Sequence, residues 1–462
     1  MGRFSRMAGG VLIASALSGV ASASEFTDEF MAALASGQVA VAEDLARAES
    51  LRVPTDGTAL FALGAARFLG SLEELLNGLY GYGLAGRVEN PMLMMAGLPF
   101  LRLPVPDNPD PDQVSYAGLR QVLERFGDDL SEAEGILARV EADGVDLPLD
   151  LARIHLDVDR NGSATVDESL AAILAAVSGG VALSVDAGLQ VDADAADAAW
   201  LRAYTHLLSA LTDLILAHDW EATFDATFHG VFPNSFPSEG GVSASDRALR
   251  ERLAKLESEW PPEPECDPQV DRTDTECRQA WMDFYAQPSI AETQRASAKL
   301  MHGSIADLVA FVHLLRWPVV EPDRMASSLE HLNAMIGSSR ETWRRILAET
   351  DDGREWIPGP EQTGVLAGLP IDQPRVDAWL AVLDETEAVL RGEKLVPHPR
   401  LDGGMNLRRL FLEPRTMDLV LLIQGSAALP YLERGPISDA AAWRALTGTF
   451  GGDAFAYFVW LN

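Results

Sequence analysis

The chain has 462 residues, 47% of them hydrophobic, and a formal net charge of −33 from 69 acidic and 36 basic side chains. Such a surplus of carboxylates leaves no basic footprint for duplex or single-stranded nucleic acid and disfavours adhesion to an anionic membrane surface. The length supports a large core, arranged as one domain or as two packed lobes.

The first residues read as a secretory signal peptide over 1–23. Arg3 and Arg6 precede the apolar run Met7 to Val20, and Ala21-Ser22-Ala23 is a small-x-small cleavage site. No cysteine lies nearby to accept lipid, and no later stretch approaches the ~20 uninterrupted apolar residues that a membrane span requires. The expected product is a soluble exported chain starting near Ser24, periplasmic or secreted, with no membrane insertion after cleavage. The basic residues are nearly all arginine, with only Lys255, Lys299 and Lys394 as lysine. An acidic, lysine-poor chain fits a GC-rich genome and a saline habitat, where charge maintains solubility.

Helical periodicity dominates the rest of the chain. It predicts helices over Phe26–Leu51 in two pieces, Ala59–Tyr82, Gln113–Phe126, Ser131–Ala142, Ala193–His218, Ser245–Glu259, Ala291–Leu315, Asp323–Glu349, Arg375–Arg391 and Asp439–Leu446. Alternating strand patterns are scarce, and there is neither a glycine-rich strand–loop–helix unit nor a repeat at fixed period. The expected fold is therefore mainly α, a large multi-helix domain. Between helices, Asn90–Pro111 is apolar yet rich in proline, which forbids a long helix and predicts an extended cover over a hydrophobic groove. Its Met92, Met94 and Met95 are flexible core filler first, and soft Cu(I) ligands only as a remote alternative.

Asp157 to Glu168 reads DVDRNGSATVDE. This resembles the calcium loop of EF-hands, D-x-[DN]-x-[DN]-G-x₅-E, at each defining position. The resemblance implies a Ca²⁺ ion held by hard oxygens: Asp157, Asp159 and Asn161 at positions 1, 3 and 5, the Ser163 carbonyl at 7, Thr165 at 9 directly or through water, and both oxygens of Glu168 at 12. Gly162 takes the sharp turn. Asp146-Leu147-Pro148-Leu149 reads as the start of an entering helix carrying Leu149, Ile154 and Leu156. Leu170, Ile173, Leu174 and Val177 read as the exit helix. Position 8 is Ala164, where EF-hands usually carry a larger aliphatic residue that pairs with a second loop. No such second loop exists: Asp107 to Asp112 holds too many prolines, and Asp351-Asp352-Gly353 lacks the spacing. An unpaired loop implies a structural ion rather than a sensor.

Downstream, His206, Asp213, His218, Asp219, Asp225 and His229 crowd one helical stretch, with His302, His313 and His331 scattered beyond. No H-x₃-H pair or HExxH motif supports a transition metal, so local satisfaction of these histidines is expected. The stretch 233–264, rich in Pro, Gly and Ser at its ends, reads as a connection between an N-terminal helical lobe (24–232) and a C-terminal one (265–462). Cys266 and Cys277 bracket a polar segment and are expected to form a disulfide in an oxidising compartment. Near the C-terminus, His398 to Gly404 forms a turn, and Arg400, Arg408, Arg409 and Arg415 concentrate guanidinium groups suited to an anion. The competing role for these arginines is internal pairing with surplus carboxylates. Gln424-Gly425-Ser426 lacks the second glycine of a nucleophile elbow. The final run, Phe455 to Leu461, is apolar enough to be expected inside the core. Together these features predict an exported, calcium-binding helical protein, a non-enzymatic binding or structural component. The alternative is a periplasmic enzyme, such as a hydrolase, with a polar site over residues 398–415. No protein partner is indicated.

Overall fold

Helix starts in this chain are set by short acidic and hydroxyl side chains that satisfy the free amides of the first turn. Asp56 accepts from Ala59 N at 3.2 Å, Ser115 from Gly118 N at 3.1 Å, and Asp372 from Arg375 N at 3.0 Å. Asp194 and Asp197 form a reciprocal capping box. A computed structural model describes residues 25–84, 105–141, 144–177, 189–232, 234, 242–267, 274–366 and 368–462. The signal-peptide reading, the three methionines at 92, 94 and 95, and most of Pro233–Gly241 lie outside the described residues.

The chain is mainly α-helical, with small antiparallel sheets. Helices α1 (residues 25–35), α2 (Val39–Arg52), α3 (Gly57–Gly81) and α4 (Tyr116–Leu137) come first. Two helices were expected over 113–142, but α4 is continuous. Leu119, Val122, Phe126, Leu130, Ala133 and Leu137 form one buried stripe that carries the helix through Gly127-Asp128-Asp129. Strand β1 (Leu147–Asp150) leads into the acidic loop, and α5 (Leu170–Val177) leads out. Strand β2 (Gln190–Ala193) pairs antiparallel with β1, with Leu147 opposite Ala193 and Asp150 opposite Gln190. It feeds α6 (Ala195–Leu216), followed by α7 (Glu221–Thr227), α8 (Val242–Ser258), α9 (Thr275–Tyr285), α10 (Pro288–His313), α11 (Pro322–Ile346) and α12 (Gln373–Leu390). Short helices α13 (Leu407–Leu412), α14 (Leu419–Gln424), α15 (Ala440–Gly448) and α16 (Ala454–Leu461) complete the chain.

The helices pack in series: α2 on α3, α3 on α4, α4 on α6, α6 on α11, α11 on α12 and α13, and α12 on α15. The α6–α11 contact is the most extensive because both faces are small. Ala203, Ala210, Thr205 and Ser209 of α6 are buried, as are Ser328, Ser338, Ser339 and Thr342 of α11, and Ser328 Oγ donates to Ala210 O at 2.8 Å. Arg120 fixes the far end of α6. Its guanidinium donates to Leu216 O at 2.8 Å and His218 O at 2.9 Å and pairs with Glu321 at 2.7 Å, bringing a cation to the helix C-terminus. Since α6 belongs to residues 24–232 and α11 to 265–462, the two stretches share one core. The terminal run joins it: Tyr457, Trp460 and Leu461 are buried, and Trp200 Nε1 donates to Trp460 O at 2.8 Å.

Helices α8 to α10 stand partly apart. Much of the expected connection is helix α8, which packs on α10, and α10 rests on α7. Trp260 and Trp281 meet Phe284 edge-on, at ring separations of 6.3 and 5.4 Å. Cys266 and Cys277 are disulfide-bonded, with Cα atoms 5.9 Å apart, and Trp281 Nε1 donates to Cys266 O at 2.7 Å. Replacing both cysteines by serine should cost about 3 kcal/mol in this region. Hydrogen exchange should then quicken in α9 and α10 while α3, α4 and α6 keep their protection. Uniform loss of protection through the chain would mean that these helices belong to the main cooperative unit.

Candidate metal centre

The loop 157–168 is held in shape by its backbone neighbours before any ion is considered. Leu156 N donates to Glu168 O at 3.0 Å and Leu170 N to Ile154 O at 2.9 Å, so the two ends of the loop are zipped together. Ile154, Leu156 and Val158 alternate into the core, each 1% exposed or less. This alternation corrects the expectation of an entering helix. Pro148 cannot donate to a helical ladder, Leu147 is fully buried opposite Ala193, and residues 147–150 form β1. The segment is therefore a strand, a loop and an exit helix rather than a full helix–loop–helix.

Three other parts of the chain grip the loop. His155 N donates to Leu34 O at 3.1 Å. Asn77 of α3 donates to the carbonyls of Asp157 at 2.7 Å and Val158 at 2.9 Å, and accepts from Arg160 Nε at 2.6 Å. Ala164 faces Gly37 in the α1–α2 turn, so closely that a Cβ on Gly37 would lie 2.5 Å from that of Ala164. A small residue at position 8 thus docks the loop on its own helical body, where a paired EF-hand would present a larger one to a second loop. Gly37 and Gly162, at φ +71° and +79°, take left-handed turns that favour glycine.

Within the loop, Asp157, Asp159 and Glu168 each present a carboxylate oxygen within 4.8 Å of the others. Calcium–oxygen bonds of about 2.3–2.6 Å place opposite ligands about 4.6–5.2 Å apart, so one ion fits among them. Glu168 is 1% exposed. Its Oε1 accepts from Val158 N at 3.0 Å, and its Oε2 from Thr165 N at 2.7 Å and Thr165 Oγ1 at 2.8 Å. Asp159 accepts from Asn161 N at 3.0 Å and Asn161 Nδ2 at 2.7 Å, and Asn161 Oδ1 from Ser163 N at 2.8 Å. Asp157 Oδ2 accepts from Gly162 N at 2.9 Å, whereas Asp157 Oδ1 is buried without a partner among the described residues. A buried, orphaned carboxylate oxygen is costly unless a cation completes it. The donor set is all oxygen, with three carboxylates, which suits Ca²⁺ and offers nothing to a soft metal. Behind the loop, Glu73 accepts from Asp157 N at 2.9 Å, and burial pushes its carboxyl up to about 7.

No protein-family model, no curated protein and no solved structure matches this chain. Arg409 pairs with Glu413 at 2.6 Å and Glu433 at 3.1 Å, while Arg400, Arg408 and Arg415 are exposed. His398 is buried, with Nε2–H on Leu422 O at 2.9 Å and Nδ1 accepting from Arg400 N at 3.2 Å, a fixed structural tautomer. Among the histidines, His218 donates to Leu214 O at 2.7 Å, and His229 faces Asp307 at 3.3 Å. His302 and His313 are exposed. His206 and His331 are not isolated: their Nδ1 atoms lie 3.1 Å apart, joining α6 to α11, with Glu134 3.5 Å from His206 and Asp213 4.0 Å from His331. Burial lowers His206 to about 4, against the pull of Glu134, so its ring is neutral. The pair depends on residues 125 apart in sequence, which no local motif reveals.

A second acidic group was also not legible in the sequence. At the start of α6 and beyond the end of α11, Glu349 is raised to about 8, first by burial and then by the charge of Asp194, to which it is hydrogen-bonded. Glu355 is raised to about 7 by the same two causes. Gln362 donates to Glu349 at 3.1 Å, and Arg354 is drawn away to Asp192. Folded carboxyls titrating above their unfolded value favour the protonated, lower-pH state. Stability from this group should be present below pH ~4.5 and lost as pH rises through the window from 4.5 to about 8. Thermal unfolding at pH 5.5 and 8.5 should show a higher midpoint at the lower pH, and Glu349→Gln should flatten the difference. An unchanged slope in that variant would locate the effect elsewhere.

Proposed function

We propose that this is an exported calcium-binding helical protein with a non-enzymatic binding or structural role, in which one ion fastens the 157–168 loop to the helical body. The observation that carries the reading is that Asp157, Asp159 and Glu168 each bring a carboxylate oxygen within 4.8 Å of the others, with Asp157 Oδ1 buried and without a partner among the described residues. Asn161, the Ser163 carbonyl and Thr165 would complete the oxygen shell as the EF-hand resemblance implies. The Cys266–Cys277 disulfide supports an oxidising compartment outside the cytosol. Support for a structural ion comes from the surroundings. The loop is already anchored by Leu34, Asn77 and Gly37, and Ala164 offers no aliphatic side chain to a partner loop. A catalytic site over 398–415 loses support, because His398 and Arg409 are committed to local partners.

Unpaired extracellular sites of this kind bind with dissociation constants of roughly 10⁻⁴–10⁻³ M. Calcium at about a hundred times that constant would stabilise the chain by about 2.7 kcal/mol. Calorimetry should find one calcium per chain. Chelation should lower the melting temperature without altering helical content or radius of gyration below the transition, and Glu168→Gln should reproduce the effect of chelation. Absence of heat at millimolar calcium would refute the site, and a large change in dimensions on binding would refute the structural role.

A further inference from the structure

We propose that the half-open groove between α4, α6 and α11 binds a small monocarboxylate with a short apolar tail. The groove has a volume of about 370 Å³ and involves no residue of the calcium loop. Small-molecule pockets begin near this size, at about 300 Å³. One wall is aliphatic, from Leu137, Val140 and Ala199, and the other is polar.

Three features point to a ligand. Gly337 lies inside the 25-residue helix α11, where glycine is the poorest helix former after proline. Gly337 is exposed and a Cβ there would meet nothing within 4 Å, so no close packing demands the glycine, and its absence of a side chain keeps the mouth of the groove open. Ser338 also lines the groove. Its hydroxyl has no hydrogen-bond partner among the described residues and is open to a ligand or to water in the groove. The third feature is a pair of half-used guanidinium groups. Arg202 binds Glu134 through Nε at 2.8 Å and Nη2 at 2.6 Å, leaving Nη1 without a partner among the described residues. Arg345 binds Glu341 through Nε at 2.8 Å and Ala195 O through Nη1 at 2.5 Å, leaving Nη2 in the same condition.

Charge selects the ligand class. Arg202 and Arg345 are paired with Glu134 and Glu341, and the exposed Arg344 also pairs with Glu341, so the frame carries no surplus of negative charge in a chain whose net charge is −33. A dianion would be repelled by both carboxylates, whereas one carboxylate can take the spare N–H donors and the Ser338 hydroxyl. The aliphatic wall then accepts a short hydrocarbon tail. His206, neutral beside the groove, adds no charge of its own.

Hexanoate, hexanol and hexylamine titrated into the full chain in a calorimeter test this assignment. We expect saturable one-to-one binding of hexanoate, with hexanol and hexylamine weaker by about tenfold or more. Gly337→Leu should fill the groove and weaken hexanoate by a similar factor while keeping or raising the melting temperature, since leucine is the better helix former. Arg202→Gln, with less change of shape, should also weaken hexanoate but not hexanol. The proposal is overturned if hexanoate gives no saturable heat, if hexanol binds as tightly, or if a folded Gly337→Leu chain binds hexanoate unchanged.

Discussion

The close approach of α6 and α11 is the contact on which the rest of this structure depends. It is possible because both helices present alanine, serine and threonine to one another, so that two backbones settle side by side with little side-chain volume between them. Such an interface gains its stability from contact over many residues rather than from any one large side chain. It also joins the two halves of the sequence into one core. The histidine pair and the groove lie along its length, and the buried acidic group lies at its end. Each is a place where the small-residue packing is interrupted and polar groups take over.

The acidic loop depends on that body in a different way. It keeps several like-charged oxygens close together, which is unfavourable without a compensating cation. Here the cost is carried by neutral partners. Backbone amides of Val158 and Thr165 and the Thr165 hydroxyl hold Glu168, and Asn77 holds the carbonyls of Asp157 and Val158. These bonds keep the carboxylates aimed inward and leave one oxygen of Asp157 unsatisfied. Helix α3 and the α1–α2 turn supply this rigidity, with Gly37 and Ala164 allowing the close contact.

The disulfide-bearing helices α8 to α10 illustrate a third way of holding structure. Their aromatic cluster is small, and the cross-link ties its covering loop to α9. A modest core and a covalent constraint together do what neither does alone in a segment with so many exposed apolar side chains, among them Met282, Met301 and Val309.

By itself the sequence determined the features that local spacing encodes. Helical periodicity marked α3, α6, α10, α11 and α12 because their apolar positions recur with the helical turn. The order of oxygen-bearing residues from Asp157 to Glu168 marked the candidate calcium loop, since that chemistry is confined to a dozen consecutive positions. Cys266 and Cys277 were legible as a pair for the same reason of proximity. Tertiary structure decided what local spacing leaves open. It made Leu147–Asp150 a strand by pairing it with Gln190–Ala193, against a capping pattern that reads as a helix start. It fused two expected helices into α4 by offering one continuous groove to its apolar stripe. It brought His206 to His331 and Glu349 to Asp194, groups distant in the chain whose protonation is set by burial and by each other's charge. Burial and long-range contact are properties of the packed chain, and no window of sequence contains them.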